Sequence, residues 1–366
     1  YEDSPDAMYA YLMAACGPNA DAAKVRVFCD ESVAHFHWLE AHGVPFKRSF
    51  YPEPSMEAPT DDCLVFSGGE DAWPFTEIAR PAPRGHKPQH ENAAGGFLMQ
   101  CLVAAVGDRG ARVECDLRAR TLVVDEHGHV AGVVATRDGE RFAVRARRGV
   151  VLAAGGFVLN DDMVNTHVPA VARCKWRLSA GADDGTGILM GVGVGGATMR
   201  MDAAECAIPL TPPRRLVRGV LVNRFGQRFI NEDTYYGRVG QEALFRQDGT
   251  CYWIHDDATY EVNQAGMQVA YVADSIDELE GAIGLPEGAL AATMQLYNRH
   301  ARDGRDPVFH KAPEFVVPLA SPPFGAIRVT TDSALYATFT LGGLRTDVEG
   351  AVLRPSGERV PGLFAA

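Results

Sequence analysis

Several patterns that mark other protein classes are missing from this sequence of 366 residues. No apolar run approaches the ~18 residues that a membrane-spanning helix needs. The formal net charge is -12, so there is no excess of Lys and Arg to bind nucleic acid or an anionic membrane. The eight cysteines form no Cys-x-x-Cys pair and the eleven histidines no His-Glu-x-x-His pattern, which argues against a metal site.

The composition is that of a globular protein. The hydrophobic content is 46%, and this length favours two or more domains. Because the cysteines are irregularly spaced, we expect buried free thiols in a reducing compartment. No leader peptide is visible from Tyr1 onward, so we expect a cytoplasmic protein.

Helices and strands succeed one another along the chain, which predicts a mixed α/β fold. Helical patterns cover residues 5–42 and 95–110, and short strands separated by Gly turns cover 111–154. Residues 203–325 combine further strands with two helices, one starting at a Ser-x-x-Glu capping box at Ser275. Strands and Gly turns return after about residue 325.

The segment 218–238, RGVLVNRFGQRFINEDTYYGR, combines a predicted hairpin with a dense polar group. Two apolar runs, 220–222 and 229–230, flank a polar turn that has Gly226 where a positive φ is wanted. From the residues alone, the polar group is a solvated loop with an Arg–carboxylate pair. Its members are Asn231, Glu232, Asp233, Thr234, Tyr235, Tyr236 and Arg238.

Three Gly-containing stretches could bring a ligand close to main-chain atoms. LAAGG (152–156) and TLGGL (340–344) follow strands, and GADDGTG (181–187) opens a helix. Each has a plainer interpretation, since a tight strand-to-loop turn or an Asp-capped helix start needs the same residues. Taken singly, none decides between the two.

Together and in this order, the motifs resemble one flavoprotein superfamily. The chain is similar to the fumarate reductases, succinate dehydrogenases and 3-ketosteroid dehydrogenases in RRGVVLAAGGFVLN, DDGTGILMGVGVGGA, VLVNRFGQRFINE, YATFTLGGLRTD and RVPGLFAA. Within the superfamily, PRGHKP and NEDTYYGR are most similar to the ketosteroid dehydrogenases. The resemblance covers nearly the whole chain.

The resemblance implies bound FAD and a Rossmann-like FAD-binding domain with a β-meander and an inserted α+β cap. We expect the FAD-binding domain in 1–202 and 326–366, and the cap, which carries the substrate, in 203–325. The family's N-terminal GxGxxG and its C-terminal Gly-rich segment are not in this sequence. We therefore expect an internal piece of a longer protein, which alone binds FAD poorly and does no chemistry.

The resemblance also implies roles for particular residues. The cofactor-binding residues it implies are Ala119, Ala154, Gly155, Gly156, Gly185, Thr186, Gly342 and Gly343. Tyr235 or Tyr236 is similar to the catalytic tyrosine of the cap, Arg238 is a further catalytic candidate, and Thr338 and Phe339 are substrate-binding candidates. We expect Glu232 to pair with Arg238 and so to set the loop.

The activity implied is desaturation of a 3-ketosteroid in steroid metabolism. Such an enzyme removes a proton α to a carbonyl and passes a hydride from the adjacent carbon to flavin N5. A tyrosine suits the proton relay, since a phenol both donates and accepts. NEDTYYGR favours the 4,5(5α) reaction over the 1,2 reaction, and the sequence does not indicate the electron acceptor.

Two other interpretations stay open. A fumarate- or urocanate-type reductase carries a histidine just ahead of the Thr-x-Gly-Gly turn, where this sequence has Thr338 and Phe339. Arg238 could still take the place of that family's acid-donating arginine, although an apolar Phe339 suits a steroid better. The third interpretation is a non-catalytic fragment without cofactor.

Overall fold

The computed structural model describes residues 1–52, 58–66, 68–210, 213–263, 265–333 and 336–366. Among these residues, no helix is long and apolar enough to cross a membrane. No set of three or more His, Cys, Asp or Glu side chains in the same ranges is arranged to hold a metal ion. The eight cysteines are free, as expected; Cys16 and Cys115 are exposed and Cys101 is intermediate, whereas the other five are buried.

Helices occupy the start of the chain, its middle and the region before the last strands. In chain order they are α1 (Pro5–Cys16), α2 (Ala22–Ala41), α3 (Gly95–Asp108), α4 (Asp161–His167), α5 (Pro169–Ala172), α6 (Thr186–Gly193), α7 (Tyr236–Gln241), α8 (Ile276–Ile283) and α9 (Ala289–Ala301). Short 3₁₀ turns lie at Gly17–Asn19, Phe75–Glu77, Arg214–Arg218 and Pro313–Phe315, and a π-helical turn at Glu242–Arg246.

The strands form several small sheets. In chain order they are β1 (Leu64–Val65), β2 (Gly85–His86), β3 (Arg118–Val124), β4 (Val130–Arg137), β5 (Glu140–Arg145), β6 (Val150–Leu152), β7 (Trp176–Arg177), β8 (Thr198–Met199), β9 (Ala204–Ala207), β10 (Val220–Asn223), β11 (Thr250–Asp256), β12 (Val269–Ala273), β13 (Phe324–Thr330), β14 (Ala337–Thr340), β15 (Gly343–Leu344), β16 (Ala351–Leu353) and β17 (Arg359–Ala365).

The described chain divides into two compact units. The first contains Tyr1–Gly110 and Ala207–Tyr336, and the second contains Ala111–Cys206 and Ala337–Ala366. The predicted boundaries near 203 and 325 lie close to these, but residues 1–110, expected with the FAD-binding domain, group with 207–336. Long-range contacts explain the grouping: Asn231 donates to the carbonyl of Trp73 at 3.1 Å, and the Trp73 and His310 rings stack with centroids 4.7 Å apart.

The first unit is built on an antiparallel sheet of four strands in the order β10-β11-β13-β12. Its fully buried apolar side chains meet those of α8 and α9 in one core, which includes Ile254, Leu279 and Leu290. Ser275 caps α8, as the capping box predicts, accepting the N–H of Glu278 at 3.2 Å. The buried carboxylate of Glu280 accepts the N–H groups of Leu290 and of two neighbours at the start of α9, and so caps that helix from outside.

The predicted hairpin at 218–238 forms only as a turn. Gly226 donates to the carbonyl of Asn223 at 2.9 Å, and Val222 forms an isolated bridge with Arg228, but β10 pairs with β11 instead of with residues 229–230. The reason lies in Glu232, whose carboxylate accepts the N–H of Leu221 at 2.9 Å. A side chain thus satisfies a donor of β10 that a hairpin partner would have taken.

The second unit combines the β-meander β3-β4-β5 with three further sheets of two or three strands each. β17 pairs in parallel with β6, and β14 pairs in parallel with β7. Its core joins the meander, β6, α6 and the last strands through residues such as Leu122, Leu152, Met190 and Leu363. The meander agrees with the strand succession expected at 111–154.

Candidate functional site

The predicted cofactor residues all belong to the second unit, and three glycine stretches converge there. The loop after β6 and the loop before α6 are joined by several hydrogen bonds, two of which involve Gly156. Gly156 N–H donates to Oδ1 of Asp183 at 2.9 Å, and Gly185 N–H donates to the carbonyl of Gly156 at 3.0 Å. The LAAGG and GADDGTG stretches therefore form one structural feature.

Gly155 lies at the centre of this feature. Its φ is +70°, and a Cβ at this position would overlap the carboxylate of Asp183. Ala154 and Gly155 are exposed, and their main-chain groups make no hydrogen bond to another residue that the structure describes. An exposed backbone with free donors and acceptors is what close approach of a ligand requires.

Thr186 is the first residue of α6, and Ala119 lies on β3, the strand that contacts this helix. Thr186 N–H donates to Oδ1 of Asp184 at 2.9 Å, and Arg118, next to Ala119 on β3, forms an ion pair with the same carboxylate. Hydrogen bonds from Thr186 lower the pKa of Asp184, so this carboxylate is negative. A carboxylate oxygen can in addition accept hydrogen bonds from hydroxyl donors such as those of a sugar.

The third glycine stretch lies beside the first. The hydroxyl of Thr340, at the end of β14, accepts the N–H of Phe157 at 2.9 Å. A Cβ on Gly342 would lie 2.5 Å from the carbonyl oxygen of Arg200, and Gly343 pairs with Met199 in β15 and β8. Gly342 therefore allows a close approach of main chain within the second unit, whereas a Cβ on Gly343 would meet nothing within 4 Å.

The two substrate candidates on β14 differ in access. Thr338 is completely buried, and its hydroxyl lies 3.4 Å from the carbonyl oxygen of Trp176. Phe339 is 38% exposed, since neighbouring residues on a strand face opposite ways. Of these two candidates, Phe339 is therefore the one that presents surface to a ligand.

Residues 231–238, by contrast, belong to the first unit, and a buried ion network anchors them. Glu232 pairs with Arg228 at 2.7 Å and with Lys311 at 2.9 Å, and Arg228 also pairs with Asp306 at 2.9 Å. Burial alone would raise the pKa of Glu232, but the charges of Arg228 and Lys311 outweigh it and lower that pKa. The expected pairing of Glu232 with Arg238 is therefore wrong.

Arg238 instead contacts neutral groups. Its Nη1 lies 3.4 Å from the carbonyl oxygen of Trp73 and 3.3 Å from the hydroxyl of Thr234, and its guanidinium lies 5.4 Å from the ring centre of Phe75. Burial lowers the pKa of Arg238. These contacts fix Arg238 against the loop that contains Trp73.

The two tyrosines do not lie on an extended strand, which the opposite-facing expectation had assumed. Tyr236 is the first residue of α7, and Tyr235 precedes it with φ -54° and ψ 128°. Their rings contact each other, with centroids 4.8 Å apart. Tyr236 is 8% exposed and Tyr235 is half-buried, so the two phenols still differ in access.

Several residues of this region carried no visible signal in the sequence. Lys311 and Asp306 lie more than 70 positions from Arg228 or Glu232 along the chain, and their types are common on surfaces. Gly69 belongs to the same region and carried only a weak signal. A Cβ at Gly69 would lie 2.8 Å from the backbone nitrogen of Tyr235. The GG pair in SGGEDAW was the one available indication of that close approach.

Comparison with known proteins identifies the family. The FAD binding domain family matches residues 1–366. This chain belongs to that family. FAD is accordingly its cofactor, and the predicted mixed α/β flavoprotein fold is confirmed.

Solved and curated relatives give finer similarities for this FAD-binding domain. It is 46% identical, with a TM-score of 0.93, to the crystal structure of 3-ketosteroid Δ4-(5α)-dehydrogenase from Rhodococcus jostii RHA1 in complex with 4-androstene-3,17-dione, covering 100% of this chain and 77% of that one. It is 31% identical to 3-oxosteroid 1-dehydrogenase of Mycobacterium tuberculosis (70% of this chain, 54% of the relative). It is 29% identical to NADH:acrylate oxidoreductase of Vibrio harveyi (93% of this chain, 33% of the relative). The chain thus spans between a third and about half of these two curated relatives.

The residues present fit FAD on structural grounds. The loop of Ala154 and Gly155 offers exposed main-chain groups without partners among the described residues, next to a site where a side chain would clash with Asp183. The acidic start of α6 suits the hydroxyl groups of the cofactor. The individual cofactor-binding residues remain predictions.

Proposed function

We propose that the protein is part of an FAD-dependent enzyme that desaturates a 3-ketosteroid between C4 and C5 of a 5α-steroid. The observation that carries the proposal is the similarity to the Rhodococcus jostii dehydrogenase, which extends over the whole chain. The similarity to a 3-oxosteroid 1-dehydrogenase supports the steroid class at lower identity.

The reaction removes a proton and a hydride from the steroid, and each removal requires a group that accepts what leaves. The proton on C4 lies α to the C3 carbonyl, so removing it places negative charge on the carbonyl oxygen. The bound FAD supplies the acceptor for the hydride that leaves C5. The chain itself must therefore hold the steroid, stabilise the oxygen and carry the proton away.

Tyr235 is the residue to which we assign the proton relay. Its side chain is half-buried, so a ligand reaches it without rearrangement, whereas Tyr236 is 8% exposed. A phenol accepts a proton from one side and donates one on the other. Tyr236, packed against it, would hold the ring of Tyr235 in place.

The ion network serves as the support of this loop. Three consecutive residues before the tyrosines are fastened to distant segments. Asn231 donates to the carbonyl of Trp73, Glu232 pairs with Lys311, and Asp233 accepts the N–H of Ala312 at 2.7 Å. A loop held at each residue keeps a reacting group in one geometry, which is what proton transfer requires.

The rival fumarate-type reductase requires cationic groups to bind a small dicarboxylate. At the position where the resemblance places a histidine, the exposed side chain is the apolar ring of Phe339. An apolar side chain suits a steroid and leaves a carboxylate without a partner. The third interpretation, a non-catalytic fragment without cofactor, is tested by the flavin content of the purified chain.

The test uses the purified chain and the complete protein from which it comes. Flavin absorption decides whether each binds FAD. Turnover of 5α-androstane-3,17-dione with an artificial electron acceptor should produce 4-androstene-3,17-dione, which is detected by the ultraviolet absorption of its enone. Desaturation of 4-androstene-3,17-dione at C1, or oxidation of a reduced dye by fumarate in place of steroid turnover, would refute the 4,5 assignment.

A further inference from the structure

A cavity of about 460 Å³ in the first unit has an unusual lining. It is formed by the two 3₁₀ turns Arg214–Arg218 and Pro313–Phe315, and its lining residues are Arg214, Arg215, Arg218, Glu314 and Phe315. No sequence motif predicted a site here. In a chain of net charge -12, three arginines around one cavity do not follow from the composition.

The three guanidinium groups are not equally paired. Arg214 forms an ion pair with Glu314, and its guanidinium lies 4.8 Å from the ring centre of Phe315. Arg215 donates to the carbonyl of Ala258 through Nε at 3.0 Å and Nη2 at 2.5 Å. Arg218 is half-buried and makes no hydrogen bond or ion pair with any residue that the structure describes.

The local charge is therefore positive and partly uncompensated. Besides Glu314, a second carboxyl, that of Asp71, interacts electrostatically with Arg214. Arg215 and Arg218 have no carboxylate partner among the described residues. A half-buried guanidinium without a counter-charge loses solvation without recovering it from a partner, so an anion entering the cavity would be stabilised.

We propose that this cavity binds the phosphate group of a phosphate ester whose organic part contacts Phe315. A phosphate monoester carries a charge of about -1.5 to -2 at pH 7 and three acceptor oxygens, which matches the two guanidinium groups without carboxylate partners. Guanidinium forks bind phosphate through paired N–H donors. Two guanidinium groups offer more N–H donors than the two oxygens of a carboxylate ligand can accept, so a phosphate group is the better match. This proposal does not depend on the function proposed above.

Calorimetric titration with phenyl phosphate at low ionic strength tests the proposal on the flavin-loaded protein. We expect Arg218→Gln to weaken binding by about tenfold or more, the usual effect of losing a charged hydrogen bond. Arg218→Lys should weaken binding less, since lysine keeps the positive charge but not the paired N–H donors of the guanidinium. Arg302→Gln is the matched control: Arg302 is exposed, lies after α9 in the same unit and has no side-chain partner among the described residues.

Three results would overturn the proposal. They are an absence of phenyl phosphate binding to the wild type, equal binding by the wild type and a folded Arg218→Gln variant, and binding of benzoate as tight as that of phenyl phosphate. The thermal unfolding of each variant is measured alongside to show that it folds. Because the side chain of Arg218 makes no hydrogen bond or ion pair with a described residue, its substitution should leave the fold intact.

Discussion

The side chains of Glu232 and Lys311 are both completely buried and form an ion pair, with 2.9 Å between Oε2 and Nζ. Lys311 also donates to the carbonyls of Val217 at 3.0 Å and Gly219 at 2.7 Å. Burial lowers the pKa of Lys311, and the charge of Glu232 opposes that shift. The pair is thus part of a network whose polar atoms are satisfied, which is the condition for burying two charges.

Removing one partner should destabilise the first unit strongly. Glu232→Gln leaves Lys311 buried beside an uncharged side chain, at a cost of about 3–5 kcal/mol in the free energy of unfolding. Urea denaturation measures it. Arg305→Gln, which breaks an exposed pair with Asp303, is the control and should stay within about 0.5 kcal/mol of the wild type. A loss below about 1 kcal/mol in Glu232→Gln would show that the pair does not support the loop.

Stability should fall in mild acid because of His255. This histidine is 1% exposed, and burial, with a smaller effect from the charge of Lys311, lowers its pKa to about 3. Below the unfolded-state pKa of about 6.5, the unfolded chain binds a proton at this position and the folded chain does not. The free energy of unfolding therefore decreases as pH falls, by about 1.4 kcal/mol per pH unit for this residue.

The variant His255→Leu should lose that part of the pH dependence. Between pH 6.5 and pH 5, its free energy of unfolding should fall by about 2 kcal/mol less than that of the wild type. His127→Leu, which changes an exposed histidine on the turn between β3 and β4, should follow the wild-type profile. Parallel profiles for His255→Leu and the wild type would mean that His255 is protonated in the folded state.

The two tyrosines should differ in their effect on turnover. Tyr235→Phe removes only a hydroxyl, and if that hydroxyl relays the proton, kcat for the steroid falls on the order of 10²-fold. Tyr236→Phe, at a buried position, should leave kcat nearly unchanged. Steroid binding should persist in both because each ring remains. Full turnover in both variants would show that the tyrosines are structural. A decrease in kcat in Tyr236→Phe alone would show that Tyr236, and not Tyr235, relays the proton.

The placement of Tyr235 should depend on Gly69. A Cβ at Gly69 would lie 2.8 Å from the nitrogen of Tyr235, and Gly69 has φ +78°. Gly69→Ala should lower kcat by about tenfold or more, since small displacements of reacting groups have large effects. Gly43→Ala is the control, because Gly43 has φ +86° but nothing within 4 Å of its Cβ position. Equal turnover in the two variants would show that Tyr235 needs no such placement.

The fraction of chains that bind flavin should depend on Gly155, because a side chain at this position would clash with Asp183 in addition to straining the backbone. Gly155→Val adds a side chain at φ +70° against Asp183, so the loop must move away from its present position. Gly139→Val has a similar strain at φ +84° but open space around it, on the turn between β4 and β5 of the same unit. We expect lower flavin absorbance per chain only in Gly155→Val. Unchanged occupancy with an intact fold would remove Gly155 from the cofactor site.

Local sequence signals were enough to predict much of this protein. Helical patterns predicted α1 and α2, the capping box at Ser275 predicted α8, and Gly turns predicted the meander, because these elements depend on contacts between near neighbours in the chain. Five sequence motifs, taken in order, were sufficient to recognise the flavoprotein superfamily by resemblance, which the match to the FAD binding domain family confirms.

Contacts between distant residues decided the rest. Glu232 had two arginines within reach along the chain, Arg228 and Arg238, and no spacing rule distinguishes them in a loop. The choice of Arg228 depends on Lys311 and Asp306, which arrive from a segment more than 70 residues away and complete a buried network of balanced charge. The same network holds the carboxylate of Glu232 beside β10. There it accepts the N–H of Leu221, which a second hairpin strand would otherwise have bonded. The sequence therefore determined which elements form and which family they belong to, whereas the partners of its buried charges were decided by the tertiary structure, because a buried charge is stable only where distant groups meet it.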